Sequence, residues 1–230
     1  EKPKFVEIGV GDYTECNTRL LLEKNNMSGL IEECDKKNFE RITKSELIWK
    51  YDIKLKNEFI TKNNINKIIE EYEPSGLGLI SIDVDGNDYW IWEAIKINNQ
   101  PDVVVIEFNS LFGKKIEAST IYNDFFNRRK NHYSNLLYGA SISSLINLGK
   151  EKGYKFIGTN LNGNNAYFVL DKYKIFFDSV DAVINLSKFR ESRDKSGRLT
   201  LLNRQEASKL LEVEQVFDFK SNSICKFKDL

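Results

Sequence analysis

The sequence predicts an α/β fold, a mostly parallel sheet with helices on both faces that finishes in an antiparallel pair of strands. Three observations predict it. Over roughly the first 170 residues, short runs that are apolar throughout alternate with longer amphipathic ones, the pattern of buried strands joined by crossover helices. The β-branched run Val103-Val104-Val105-Ile106 is the clearest buried strand. Asn162-Gly163, set between two further strand-like runs, is a strong hairpin-turn signal.

Taken in order, residues 4–8 form the first predicted strand, running into Gly9-Val10-Gly11. A helix over 17–25 follows, with Leu20, Leu21 and Leu22 as its apolar face, and then a strand over 28–33. A helix over 36–44 and mixed sequence lead to a β-like stretch at 53–60. Ile65, Ile68 and Ile69 share one face of a helix over 64–72. Pro74 and Gly76 break the chain before a continuous apolar strand at 77–84 that ends in carboxylates. A helix over 89–97 and a restart at Pro101 precede the 103–106 strand. Beyond the polar stretch that follows it, a helix is predicted at 141–152 and strands at 154–159 and 166–170. The charged tail from Asp171 holds one further helix, at 204–211, and is too polar to form a core of its own. It is expected to pack on the sheet or to cover a neighbouring subunit. The abrupt entry into the first strand predicts a trimmed segment upstream.

Composition narrows the function classes. Lys plus Arg number 34 and Asp plus Glu 34, so the net charge is zero and no whole-surface attraction to nucleic acid or an anionic membrane is expected. No apolar run approaches the ~18 residues a membrane span needs. Cys16, Cys34 and Cys225 lie far apart with no C-x-x-C pair, which argues against a disulfide framework or a structural zinc and for reduced thiols in the cytoplasm.

Four motifs carry the chemistry. In Glu7-Ile8-Gly9-Val10-Gly11 a strand ends in Gly-x-Gly, where a ligand can approach the backbone near a helix N-terminus. Thr14 stands where a dinucleotide fingerprint wants a third glycine, and Glu7 suits a cationic group such as the amine of a methionine moiety. A plain tight turn explains Gly-x-Gly equally well. Glu32-Glu33 ends the second strand, where a carboxylate can accept both ribose hydroxyls, and strand alternation lets only one of the two face the cleft. Ile82-Asp83-Val84-Asp85-Gly86-Asn87-Asp88 crowds three carboxylates at a strand end, fit for orienting substrate, for general base work, or for a hard divalent cation. Helix capping accounts for Asp85 or Asp88 just as simply. Glu107-Phe108-Asn109 ends the next strand and is expected on the same rim. His132 is the sole histidine and a candidate base; beside it, Arg128-Arg129-Lys130 is a candidate anion site or a solvated face.

The glycine turn, the acidic end of the second strand and Ile82-Asp83-Val84-Asp85-Gly86 resemble the class I S-adenosylmethionine-dependent methyltransferases, in particular the FkbM-like family and a bacterial surface-polysaccharide subgroup of it. Tyr138-Gly139-Ala140-Ser141, Gly158-Thr159-Asn160, Asn165-Ala166-Tyr167-Phe168-Val169 and Phe189-Arg190-Glu191-Ser192-Arg193-Asp194 resemble its later segments, so the likeness spans residues 4–218. It implies a Rossmann-like sheet of seven strands with a C-terminal antiparallel strand. It also implies a cofactor-binding domain over 1–170, with an acceptor or lid insertion at 110–138 and a C-terminal extension over 171–230. Glu7, Gly9, Gly11, Glu33 and Asp83 then fall on the cofactor site, and Glu33 is preferred to Glu32. Asp85 or His132 becomes the base, with Glu107 and Asn109 orienting the acceptor. The implied reaction is O-methylation of a sugar or of a phosphorylated or phosphoramidate precursor of a capsular polysaccharide. No metal ligand is assigned; a divalent cation and a homodimer stay open. The rivals are an NAD-dependent oxidoreductase or epimerase, disfavoured by Thr14 and by a missing Tyr-x-x-x-Lys, and a non-catalytic nucleoside-binding partner subunit.

Overall fold

The computed structural model describes residues 3–73 and 76–230. The predicted break at Pro74 lies outside the described residues, as do Glu1 and Lys2. The chain divides into two compact units.

The first unit comprises Glu1–Val84 and Ile91–Ile106. Its strands are β1 (Phe5–Ile8), β2 (Gly29–Glu32), β3 (Ile53–Lys56), β4 (Leu79–Ile82) and β5 (Val103–Glu107). All pair in parallel: β2 lies between β3 and β1, and β1 and β5 flank β4. Every residue of β1 and β2 is buried, so both faces of the sheet are covered there, as a parallel sheet requires. The connections carry α1 (Arg19–Asn25), α2 (Lys36–Thr43), the short α3 (Leu47–Lys50), α4 (Ile65–Tyr72) and α5 (Asp88–Ala94). Phe5, Tyr13, Leu22, Ile31, Ile42 and Leu47 pack into one core cluster. Successive helical residues turn by about 100°, so the three leucines of α1 cannot share one face. Leu22 is buried and Leu20 is exposed. Ile65, Ile68 and Ile69 of α4 are all buried, at the spacing the sequence predicts.

Two strands are four residues shorter than expected. β3 stops at Lys56, where its register with β2 ends opposite Glu32, and its alternating Lys54 and Lys56 leave it half-exposed. β4 covers only Leu79–Ile82, its pairing ending opposite Ile8, where β1 stops, and opposite Ile106 of β5.

The second unit comprises Asp85–Trp90 and Glu107–Leu230. Here β7 (Tyr154–Thr159) and β8 (Asn165–Leu170) form the predicted antiparallel pair. In the turn between them, Asn160 Oδ1 accepts from the Gly163, Asn164 and Asn165 N–H groups. Helix α7 (Ile142–Glu151) is capped by Ser141 and buries Ile142, Leu145 and Leu148. The larger sheet has seven strands in the order β3-β2-β1-β4-β5-β8-β7, a mixed α/β architecture with an antiparallel pair at its end.

The tail departs from expectation. It joins a second sheet in the order β10-β9-β6, made by β6 (Ala118–Ser119), β9 (Gln215–Asp218) and β10 (Ser223–Lys226). With α8 (Arg204–Leu211) it supplies Ala207, Leu211, Val216 and Phe227 to a cluster that also holds Phe112, Ala118, Leu136 and Leu137. The tail is too polar to make a core alone, and it shares one with the 112–137 segment. An Asn203–Glu206 capping box starts α8. The short α6 (Arg128–Asn131) lies within the same segment.

Candidate functional site

In the first unit the ends of β1, β2 and β4 are laced by backbone bonds: Gly9 N–H donates to the Glu32 carbonyl at 3.0 Å, and Asp83 N–H to the Ile8 carbonyl at 3.1 Å. Gly9 has φ +76°, and a Cβ there would lie 1.7 Å from the Asp83 carbonyl oxygen. No side chain fits, so this glycine is what allows the turn to cross the end of β4. Gly11, at φ +58°, has open space where a Cβ would point, and a ligand can reach the main chain there.

Glu7 is buried and held by the entry to α1. Its carboxylate accepts the Asn17 N–H at 2.7 Å and the Thr18 N–H at 3.1 Å, and the Thr18 hydroxyl as well. Burial pushes its pKa up, and the bonds from Thr18, Asn17 and Ser81 pull it back. Glu7 therefore fixes the glycine turn to the helix that follows.

Glu32 and Glu33 are both buried. Glu33 accepts the Asp35 N–H at 2.6 Å, and Asp35 in turn caps α2. Neither oxygen of Glu32 has a hydrogen-bond partner among the described residues. Burial pushes the Glu32 carboxyl up to about 7, with Lys56 lowering it and Glu58 raising it further.

The second unit gathers the other candidates. Asp85 sits at φ +58°, a left-handed conformation that Asp tolerates, and its Oδ1 accepts from Arg128 Nη1 at 2.6 Å. Arg128 also donates to the Asn135 carbonyl at 2.7 Å and lies 3.7 Å above the centre of the Tyr138 ring. Burial disfavours the charged guanidinium, but Tyr138, Glu107 and Asp85 more than offset this, so its pKa is raised. Gly86 is required because a Cβ would strike the Phe126 ring at 2.0 Å. Asp88 accepts the Gly86 N–H at 2.9 Å and serves the turn itself.

A cavity of about 410 Å³ opens in this unit, lined by Glu107, Asn109, Arg128 and Tyr138 and by the tail residues 187–191 and 202–204. Asn109 lines it, yet its amide donates to the Leu136 and Tyr138 carbonyls, both at 2.9 Å, and its Oδ1 accepts the Leu111 N–H. It holds the cavity wall in place. His132 is not among the lining residues. It is buried, with Nδ1 2.6 Å from the Ser134 hydroxyl and Nε2 3.8 Å from Glu214, and burial lowers its pKa. Arg129 and Lys130 are exposed and do not line the cavity either. Arg128 does line it, and so do Lys188, Arg190 and Arg204, which carry no role in the sequence reading. The interleaved Lys188-Phe189-Arg190 was the available signal.

No protein-family model matches the chain, and no curated protein matches it. Solved structures with a similar fold include the methyltransferase domain of bacterial CtHen1, 14% identical over 73% of this chain and 90% of that one, TM-score 0.44. The N-terminal domain of EvdMO1 with SAH bound is 10% identical over 73% of this chain and 72% of that one, TM-score 0.44. An S-adenosylmethionine-dependent methyltransferase from Clostridium acetobutylicum is 8% identical over 73% of this chain and 84% of that one, TM-score 0.44.

Proposed function

We propose that the chain is an S-adenosylmethionine-dependent O-methyltransferase whose first unit binds the cofactor and whose second unit holds the acceptor. The observation that carries this reading is the glycine turn pressed against the end of β4, with buried acids at the end of the neighbouring β2. Gly9 lets the turn cross the end of β4 and Gly11 leaves main chain open to the cofactor. Glu33 or Glu32, whose oxygens have no hydrogen-bond partner among the described residues, would take its ribose hydroxyls, and Asp83 completes the strand-end set. Glu7 acts by fixing the turn. The cofactor would supply an electrophilic methyl group on its sulfonium.

Methyl transfer of this kind is an in-line displacement, so the protein chiefly has to align the acceptor hydroxyl and receive its proton. Asp85, with a 59% exposed side chain steadied by Arg128, is our candidate for that base. His132, enclosed beside Ser134, is the weaker one. Glu107 reaches the cavity and would orient the acceptor, while Asn109 positions the wall. The acceptor class we favour is a sugar, or a phosphorylated or phosphoramidate precursor of a surface polysaccharide, handled in the cytoplasm. A homodimer is compatible with this reading. All three cysteines are free, and no helix among the described residues is long and apolar enough to cross a membrane.

The test is transfer of labelled methyl from S-adenosylmethionine to a panel of sugars and sugar phosphates. Asp85→Asn should lower turnover by about 10²–10⁴-fold and leave cofactor affinity intact. Unchanged turnover would remove Asp85 as the base. Exhaustive chelation serves as a second arm: undiminished activity excludes a divalent cation, and loss restored by Mg²⁺ establishes one.

A further inference from the structure

Four cations, Arg128, Lys188, Arg190 and Arg204, line the cavity of the second unit, together with two acids, Glu107 and Glu191. Each acid has a cation beside it. Glu107 neighbours Arg128, which also binds Asp85, and Glu191 accepts from Arg193 at 3.1 Å. Lys188, Arg190 and Arg204 are different, for no carboxylate pairs with any of them among the described residues. Arg190 is braced by the Leu201 carbonyl, and Arg204 by the Ser110 carbonyl at 2.7 Å. Each bond uses only the Nη2 group of its guanidinium, leaving further N–H donors. Lys188 makes no hydrogen bond among the described residues. The unneutralised charge of this cavity thus comes from the tail, where Phe189, exposed and also lining the cavity, stands between two of the three cations in sequence.

We propose that the tail side of this cavity, through Lys188, Arg190 and Arg204, is the binding site for a phosphoryl group carried by the acceptor. A phosphate monoester brings close to two negative charges and three acceptor oxygens, which suits three unpaired cations better than a monoanionic carboxylate does. A cavity of about 410 Å³ accommodates a monosaccharide phosphate, with Phe189 offering an apolar surface to the carbon face of the sugar ring. The proposal rests on the acceptor role given above to the same cavity. It assigns the anion site to the tail and not to the Arg128-Arg129-Lys130 cluster, whose first member is already paired with Asp85.

Calorimetric titration of the full chain with glucose 1-phosphate, inorganic phosphate, glucose and glucuronate tests it, with S-adenosylmethionine titrated in parallel. Both phosphates should bind, glucose at least tenfold more weakly, and added salt should weaken the phosphates. Lys188→Gln, which removes charge without breaking a hydrogen bond, should weaken glucose 1-phosphate about threefold to tenfold, and the Lys188→Gln/Arg190→Gln pair further, with S-adenosylmethionine affinity unchanged. Phosphates binding no better than glucose, or equally well to the variants, would overturn the site. Glucuronate binding without phosphate binding would replace it with a carboxylate site. Phosphate binding in a protein that does not bind S-adenosylmethionine would uphold this site and sink the methyltransferase reading.

Discussion

Glu32 and Glu33 are neighbours in sequence and differ in circumstance. Glu33 takes the N–H of Asp35, whereas both oxygens of Glu32 lack a hydrogen-bond partner among the described residues. Their chemistry is identical, so the pattern of residue types shows that an acid ends β2 without showing which one the loop will occupy. Glu7 and Asn109 teach the same thing. The sequence marks them as polar groups at strand ends, but it does not show that Asn17, 10 positions on, uses Glu7 or that Tyr138, 29 positions on, uses Asn109. Glu32 also gives a signed prediction. Its folded pKa, about 7, lies above the ordinary 4.5, so the folded state holds a proton that the unfolded chain has lost between those values. Its contribution to stability is fully present below pH 4.5 and is lost as the pH rises to 7, by as much as about 3 kcal/mol. Glu32→Gln should flatten this slope and be more stable than the parent at pH 8 in urea unfolding. Parallel pH profiles for the two proteins would refute the assignment.

Among the elements, the parallel strands and their helices are legible because each writes its own burial into a local apolar run. β6 is not legible, since two residues, Ala118 and Ser119, carry no periodicity, and their partner in β9 lies about a hundred positions further on. β9 and β10 are missed for the related reason that Val216 and Phe227 find their core only by joining Phe112 and Leu137. This makes the tail structural. Leu211, wholly buried at the end of α8, should cost about 2–5 kcal/mol on truncation to Ala, read from denaturant unfolding. A loss under about 1 kcal/mol, the level of a surface change, would mean that the tail packs more loosely than described.

Across the whole molecule the equality of 34 basic and 34 acidic residues hides a division of labour. Glu32, Glu33 and Asp83 stand at strand ends of the first unit, while Lys188, Arg190 and Arg204, without carboxylate partners among the described residues, line the cavity in the second. The class of fold is readable from the sequence, and so are the glycine turn and the strand-end acids on which the proposed cofactor site rests, because these residues sit at fixed offsets from strand ends. The cavity proposed for the acceptor is not, because its wall is assembled from segments about 80 residues apart, such as Glu107 and Lys188. The central claim concerns the cofactor, and calorimetric titration of the folded chain with S-adenosylmethionine meets it most directly. Saturable binding is predicted, sharply weakened by Gly9→Ala, whose added methyl collides with the Asp83 carbonyl, and unaffected by Lys188→Gln. Absence of binding by the folded protein at millimolar ligand would contradict it.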